Sequence, residues 1–161
     1  MADVTVKIPT IDALVKGMSD NGTMSTLLVG TGQSVVTRVK KQWLAGSGAD
    51  TTVFSPGSHE YLIKKGLARR QPVINMSLTG QLAKSFKVQK SDSKSATLGF
   101  AGNRSARKSN GIVLDSGKST NLEVARGNVA RRPNMLSVDD PSIQAFATNA
   151  FYKLFKKVMK L

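Results

Sequence analysis

Cysteine is absent from the 161 residues, which removes disulfide frameworks, thiolate metal sites and cysteine nucleophiles at once, and fits a reducing cytoplasm. Histidine occurs once, at His59, so a histidine-based metal cluster cannot form within one copy. The pair His59-Glu60 begins like a zinc-protease motif, but the position four residues on is Ile63, and a second ligand on that helix face is missing. Aromatic residues that would stack bases are scarce in residues 64–132, where only Phe86 and Phe100 occur. Acidic residues are scarce, 10 against 24 lysines and arginines. Long apolar runs are missing too: no stretch approaches the roughly 20 residues a membrane span requires. Met1 to Lys7 lacks the basic-then-apolar order of a secretion signal, and a soluble protein with no membrane partner is expected.

The same scarcity extends to catalytic patterns. Gly30-Thr31-Gly32-Gln33-Ser34 has the glycines of a phosphate loop without the lysine that would reach a phosphate, and reads as a helix irregularity or bend. Asp139-Asp140 are adjacent, a spacing that points two carboxylates apart, and helix capping explains them better than shared acid-base work. No nucleophile elbow is present. The inventory predicts a non-enzymatic protein with no catalytic residue, cofactor or metal site.

What is abundant is positive charge, and its placement is uneven. Residues 64–132 hold fifteen lysines and arginines against Asp92, Asp115 and Glu123, whereas residues 1–63 carry five basic and five acidic side chains. Such a concentration implies a polyanionic neighbour, either an acidic protein surface or nucleic acid. Lys64, Lys65, Arg69, Arg70, Arg104, Arg107, Lys108 and Arg131 are the candidate contact residues.

At this length a single domain spanning 1–161 can bury roughly 70% of the surface its unfolded chain exposes. Val4, Val6 and Ile8 alternate with Thr5 and Lys7, which predicts a half-buried strand; Pro9-Thr10 then stops it and starts a short helix carrying Ile11, Leu14 and Val15. Asp20-Asn21-Gly22 reads as a turn. Leu27, Leu28, Val35, Val36, Val39 and Trp43 predict a long amphipathic helix over Thr23 to Ala45, weakened in its middle by Gly30 and Gly32. A helix is expected from Ser58 to Leu67, a strand over Val73 to Met76, and a turn at Thr79-Gly80 leading to a helical step at Gln81 to Ala83. Phe86 to Gln89 and Ala96 to Phe100 predict an antiparallel hairpin around Ser91-Asp92-Ser93. Ala106 to Asp115 reads as a short helix, and 116–130 as an exposed, flexible loop rich in Gly, Ser and Asn. Asp140 as cap, Pro141 at the first position and the stripe Ile143, Phe146, Ala150, Leu154 and Val158 predict a C-terminal amphipathic helix ending in lysines. The fold class expected is α+β, a small antiparallel sheet packed against the long helix and the C-terminal helix.

Several short motifs fall in a telling order: Trp43, Ser55-Pro56, Tyr61, then Leu78-Thr79-Gly80-Gln81-Leu82, then Arg132-Pro133-Asn134-Met135-Leu136-Ser137. From about Val35 onward this order resembles the bacteriophage virion-morphogenesis proteins that complete tails and join them to heads. Two departures stand out: Trp43 is separated from Ser55-Pro56 by a Gly/Ser-rich insertion, and Met135 occupies a position where that family usually has phenylalanine. The resemblance marks Leu78, Thr79, Gly80, Leu82, Arg132, Pro133 and Leu136 as motif residues. It implies a structural protein of the virion head–tail junction, a hexameric or dodecameric ring that contacts neck, connector and tail-tube proteins and lets DNA pass. A nucleic-acid-binding module using residues 64–132 is the alternative from another class.

Overall fold

The computed structural model describes residues 4–6, 21–51, 54, 63, 80–109, 111–137 and 140–159, and within them the fold is α+β. In chain order these form β1 (Val4–Val6), α1 (Asn21–Leu44), the short α2 (Gln81–Ser85), β2 (Phe86–Ser91), β3 (Ala96–Phe100), β4 (Arg107–Ser109), β5 (Ile112–Asp115), α3 (Asn121–Arg131), a 3-10 turn (Pro133–Leu136) and α4 (Pro141–Met159). The expected short helix after Pro9, the Ser58 to Leu67 helix and the Val73 to Met76 strand lie outside the described residues.

The first sheet has the order β1-β3-β2, antiparallel throughout, with Phe86 opposite Phe100, Val88 opposite Leu98 and Val4 opposite Leu98 on the other side. The N-terminal strand therefore completes the same sheet as the predicted hairpin. That hairpin turns where Asp92 Oδ1 accepts from the Lys94 and Ser95 backbone N–H groups, each at 2.7 Å, a side-chain turn of the kind aspartate favours.

Helix α1 lies between this sheet and α4. Its buried positions, Met24, Leu27, Leu28, Thr31, Gly32, Val35, Val36, Val39 and Trp43, are too many for one stripe, as a helix covered on two sides requires. The two glycines make both approaches possible. A Cβ on Gly32 would stand 3.0 Å from Val88 Cγ2 and 3.1 Å from Leu98 Cδ2 in the sheet, and a Cβ on Gly30 would stand 2.9 Å from Leu154 Cδ1 of α4. The segment read as a bend is thus unbroken helix, and the Thr31 hydroxyl between the glycines donates to the Leu27 carbonyl at 2.9 Å. Asn21 and Gly22, read as part of a turn, already belong to the helix. From the Ser25–Ser91 hydroxyl contact at one end to Trp43 against Phe86 and Phe100 at the other, α1 runs antiparallel to β2.

The helix ends as its glycine dictates. Gly46 adopts φ 85°, the Ser47 N–H reaches back to the Gln42 carbonyl at 3.0 Å and the Gly46 N–H to the Trp43 carbonyl at 3.1 Å, the paired bonds of a Schellman cap. The loop beyond carries Gly48, whose Cβ position is filled by the Asn134 carbonyl, and the Ala49 N–H donates to that same carbonyl at 3.0 Å.

Helix α4 buries Ile143, Ala147 and Phe151, spaced by four; of the stripe read from the sequence only Ile143 is fully buried, Phe146, Ala150 and Leu154 being half-buried and Val158 exposed, because the face turned to α1 follows Ala147 and Phe151. Its start is closed by Asp140, whose Oδ1 accepts from the Ser142 N–H at 2.7 Å. Arg38 of α1 lies with its guanidinium 4.7 Å from the centre of the Phe146 ring.

Two expectations are corrected. Residues read as a helix over 106–115 form the β4–β5 hairpin instead, with Ser109 paired to Ile112 and Gly111 in the connection between the strands. Asn-Gly between strands favours this turn because both residues tolerate positive φ, and Gly111 has φ 76°. Residues 116–130, read as a flexible loop, contain most of helix α3, which opens on a capping box: the Glu123 N–H donates to Thr120 Oγ1 at 3.2 Å and the Thr120 N–H to Glu123 Oε2 at 2.7 Å. Only Ser116 to Thr120 is non-helical there.

Candidate functional site

The motif residues that fall among the described positions are structural joints. Trp43 is fully buried, its ring centre 5.0 Å from that of Phe86 and 5.9 Å from that of Phe100, and its indole N–H donates to the Met135 carbonyl at 2.9 Å. One side chain thus ties the end of α1 to the sheet and to the 3-10 turn 92 residues later in sequence. Met135 and Leu136 of that turn are buried; Pro133 starts it while staying exposed. The turn sits between α3 and α4. Arg132 is half-buried, its backbone N–H bonded to the Asn128 carbonyl at 2.8 Å and its guanidinium 5.9 Å from the Phe54 ring centre. Gly80 holds φ 75° at the start of α2 and Leu82 is buried in the core. Leu78 and Thr79 lie outside the described residues.

The basic candidates divide. Lys64, Lys65, Arg69 and Arg70 fall outside the described residues. Arg107, Lys108 and Arg131 are exposed. Arg104 is not a surface cation: its guanidinium pairs with Asp115, and the two side chains are only 9% and 8% exposed. Around them a polar network closes. Arg104 Nη1 donates to Asn121 Oδ1 at 3.3 Å, and Asn121 Nδ2 donates to the Ala101 and Gly102 carbonyls at 3.0 and 3.1 Å. Gln81 Nε2 donates to the Ser105 carbonyl at 2.8 Å while Gln81 Oε1 accepts the Ser105 N–H at 2.7 Å. Asp115 Oδ1 also accepts the Gly117 N–H at 2.9 Å. The network fastens the base of the β4–β5 hairpin to α2 and to the start of α3, so the ion pair is hydrogen-bonded on all sides, as a pair removed from water must be.

Sequence reasoning misses Gln81, Asp115 and Asn121 as members of a cluster. Two signals point toward it: the Thr120-x-x-Glu123 capping signature sets Asn121 at a helix start, and the Asn110-Gly111 dipeptide sets Asp115 at a strand end.

Three of the described acids are held by neighbouring residues of their own turn or cap. The Lys94 and Ser95 N–H groups hold the Asp92 carboxyl below its usual range, the Thr120 N–H does the same for Glu123, and the Ser142 hydroxyl and N–H for Asp140. Burial lowers the Lys40 ammonium from the ordinary lysine value. Among the described basic side chains those that face solvent are Lys41 on α1, Lys84, Lys87 and Lys90 on α2 and β2, Lys94 in the turn after β2, Arg107, Lys108 and Lys118 on and beside the hairpin, Arg126 and Arg131 on α3, and Lys153, Lys156 and Lys157 near the end of α4. These cations outnumber the acids beside them, so the surface keeps a positive field that is available to an anionic partner.

Among the described residues no helix is long and apolar enough to cross a membrane, and no group of three histidine or acidic side chains is placed to hold a metal ion. No protein-family model matches the chain, and no curated protein and no solved structure matches it.

Proposed function

We propose that this chain is a structural subunit of a bacteriophage head–tail junction, acting as a closed ring of identical copies that joins tail to head, and that it reaches the virion after assembly in the host cytoplasm. The observation that carries the reading is the Trp43 to Met135 bond. It joins the first and last of the ordered motifs on which the resemblance rests, with Leu82 and Leu136 buried in the same core. Motifs that serve as joints suit a protein that works by shape and interface energy. A head-to-tail contact whose rotation closes gives a ring, and a ring six or twelve copies round leaves a channel for DNA. The exposed basic surface supplies the complementarity that acidic neck, connector or tail-tube subunits would need.

The decisive experiment is electron microscopy of virions in which this protein carries a gold-binding tag, together with native mass measurement of the purified chain. Label at the neck and a hexameric or dodecameric mass are expected. Label on the capsid lattice or baseplate, or absence from the particle, ends the proposal.

A further inference from the structure

The β4–β5 hairpin takes no part in the hydrophobic core. Its strands pair chiefly with each other, its side chains range from half-buried to exposed, and among the described residues its hydrogen-bonded anchor is the base, where Arg104, Asp115, Gln81 and Asn121 meet. An isolated two-stranded ribbon is marginal in water, so a rigid base is what allows it to project. Here the base uses up the acid: Asp115 is the one carboxylate in residues 103–120 and it is paired with Arg104, leaving Arg107, Lys108 and Lys118 as exposed cations.

We infer that this ribbon is a contact element for duplex nucleic acid. Three observations favour that partner. A two-stranded ribbon has the width that the major groove of a duplex admits. The shift of register between Arg107 and Lys108, with Leu114 as the extra residue of β5, twists the ribbon as a groove requires. The surface offered is mixed: Val113 is 47% exposed directly opposite Lys108, an apolar group beside a phosphate-seeking one, and Ser109 and Gly111 keep the tip small. The ribbon carries no aromatic residue, so stacking on unpaired bases, the mode of single-strand binding, is not open to it. Arg107, Lys108 and Lys118 contact phosphates and hold the ribbon in place, while Val113 packs against the groove wall. The inference stands apart from the head–tail reading, because duplex binding can succeed or fail whatever particle the protein occupies.

The test compares two triple variants of the full chain that lose the same charge: Arg107→Ala/Lys108→Ala/Lys118→Ala on and beside the ribbon and Lys153→Ala/Lys156→Ala/Lys157→Ala on α4. Binding to a labelled mixed-sequence duplex is followed by anisotropy across a salt series, with unchanged thermal melts establishing that both variants fold. The ribbon variant is expected to bind at least about tenfold more weakly, with the slope of log affinity against log salt shallower by roughly 2 to 3, because each phosphate contact contributes about 0.9. The α4 variant should stay within about threefold of the parent. Equal losses in both variants, absence of duplex binding by the parent, or ribbon-dependent binding that is as tight for single strands or polyglutamate would each overturn the inference.

Discussion

Replacing Trp43 by phenylalanine tests the central joint of the fold. Phenylalanine keeps a ring against Phe86 and Phe100 but removes the donor that satisfies the Met135 carbonyl at 2.9 Å in a site where the indole is fully buried. A buried acceptor left without its donor costs about 1–3 kcal/mol. The smaller ring also leaves a void, and at the rate measured for core truncations this adds about 1 kcal/mol. The sum, about 2–4 kcal/mol, corresponds in a chain of this size to a melting temperature lower by about 5–15 °C. Because Trp43 is the sole tryptophan, unfolding of the variant must be followed by circular dichroism in urea, with the parent measured the same way. Leu44→Ala, one residue away and 54% exposed, serves as the control and should change stability by no more than about 0.5 kcal/mol. A Trp43→Phe loss below about 1 kcal/mol, or one no larger than the control's, would show that the indole does not bind the 3-10 turn to α1.

Two helical glycines should respond with opposite signs. Gly32→Ala gains helix propensity but drives a methyl toward Val88 and Leu98, so a net destabilisation of about 1–2 kcal/mol is expected; Gly127→Ala on α3, where nothing lies within 4 Å, should stabilise by about 0.5–1 kcal/mol. Paired urea titrations decide this, and a stabilising Gly32→Ala would refute the close packing of α1 on the sheet. Arg104→Ala strands the Asp115 carboxylate and should cost about 3–5 kcal/mol, while Arg104→Met combined with Asp115→Leu recovers much of that loss; a double variant as unstable as Arg104→Ala would argue that the hydrogen bonds, not the charges, hold the hairpin base. The carboxylates of Asp92, Glu123 and Asp140 have lowered pKa values in the folded chain, so on acidification the unfolded chain takes up protons first. Their stabilisation is complete above about pH 5 and lost as the pH falls through about 4 and below. The urea midpoint should drop across that window, and Asp92→Asn/Glu123→Gln/Asp140→Asn should flatten the drop; an unchanged pH profile in that triple variant would contradict the hydrogen-bonded turns and caps.

Local rules written in adjacent residues are legible in the chain itself. The 3.6 period from Leu27 to Trp43, the alternation in Phe86 to Gln89 and Ala96 to Phe100, and the Asp140-Pro141 start produce α1, the β2–β3 hairpin and α4 where the sequence places them, although the buried line of α4 is Ile143, Ala147 and Phe151 and not the stripe through Leu154 and Val158. These signals survive because each is satisfied within one turn or one strand pair. The misread segments obey local rules as well. Asn110-Gly111 sets a hairpin turn and Thr120-x-x-Glu123 caps a helix, but a composition rich in Gly, Ser, Asn and Lys conceals both.

Other features depend on which distant residues meet. Nothing adjacent to Gly30 and Gly32 says that one makes room for Leu154 and the other for Val88 and Leu98; in isolation they read as breaks, and only packing on two faces turns them into necessities. Arg104 reads like any other surface cation until folding sets it beside Asp115 and Asn121. Trp43 and Met135 are likewise joined only across the fold. Composition and periodicity determined α1, the β2–β3 hairpin, the start of α4, the charge excess and its concentration in residues 64–132. The tertiary structure decided which cations are consumed inside and which face outward, because burial and pairing depend on contacts that no span of neighbouring residues contains.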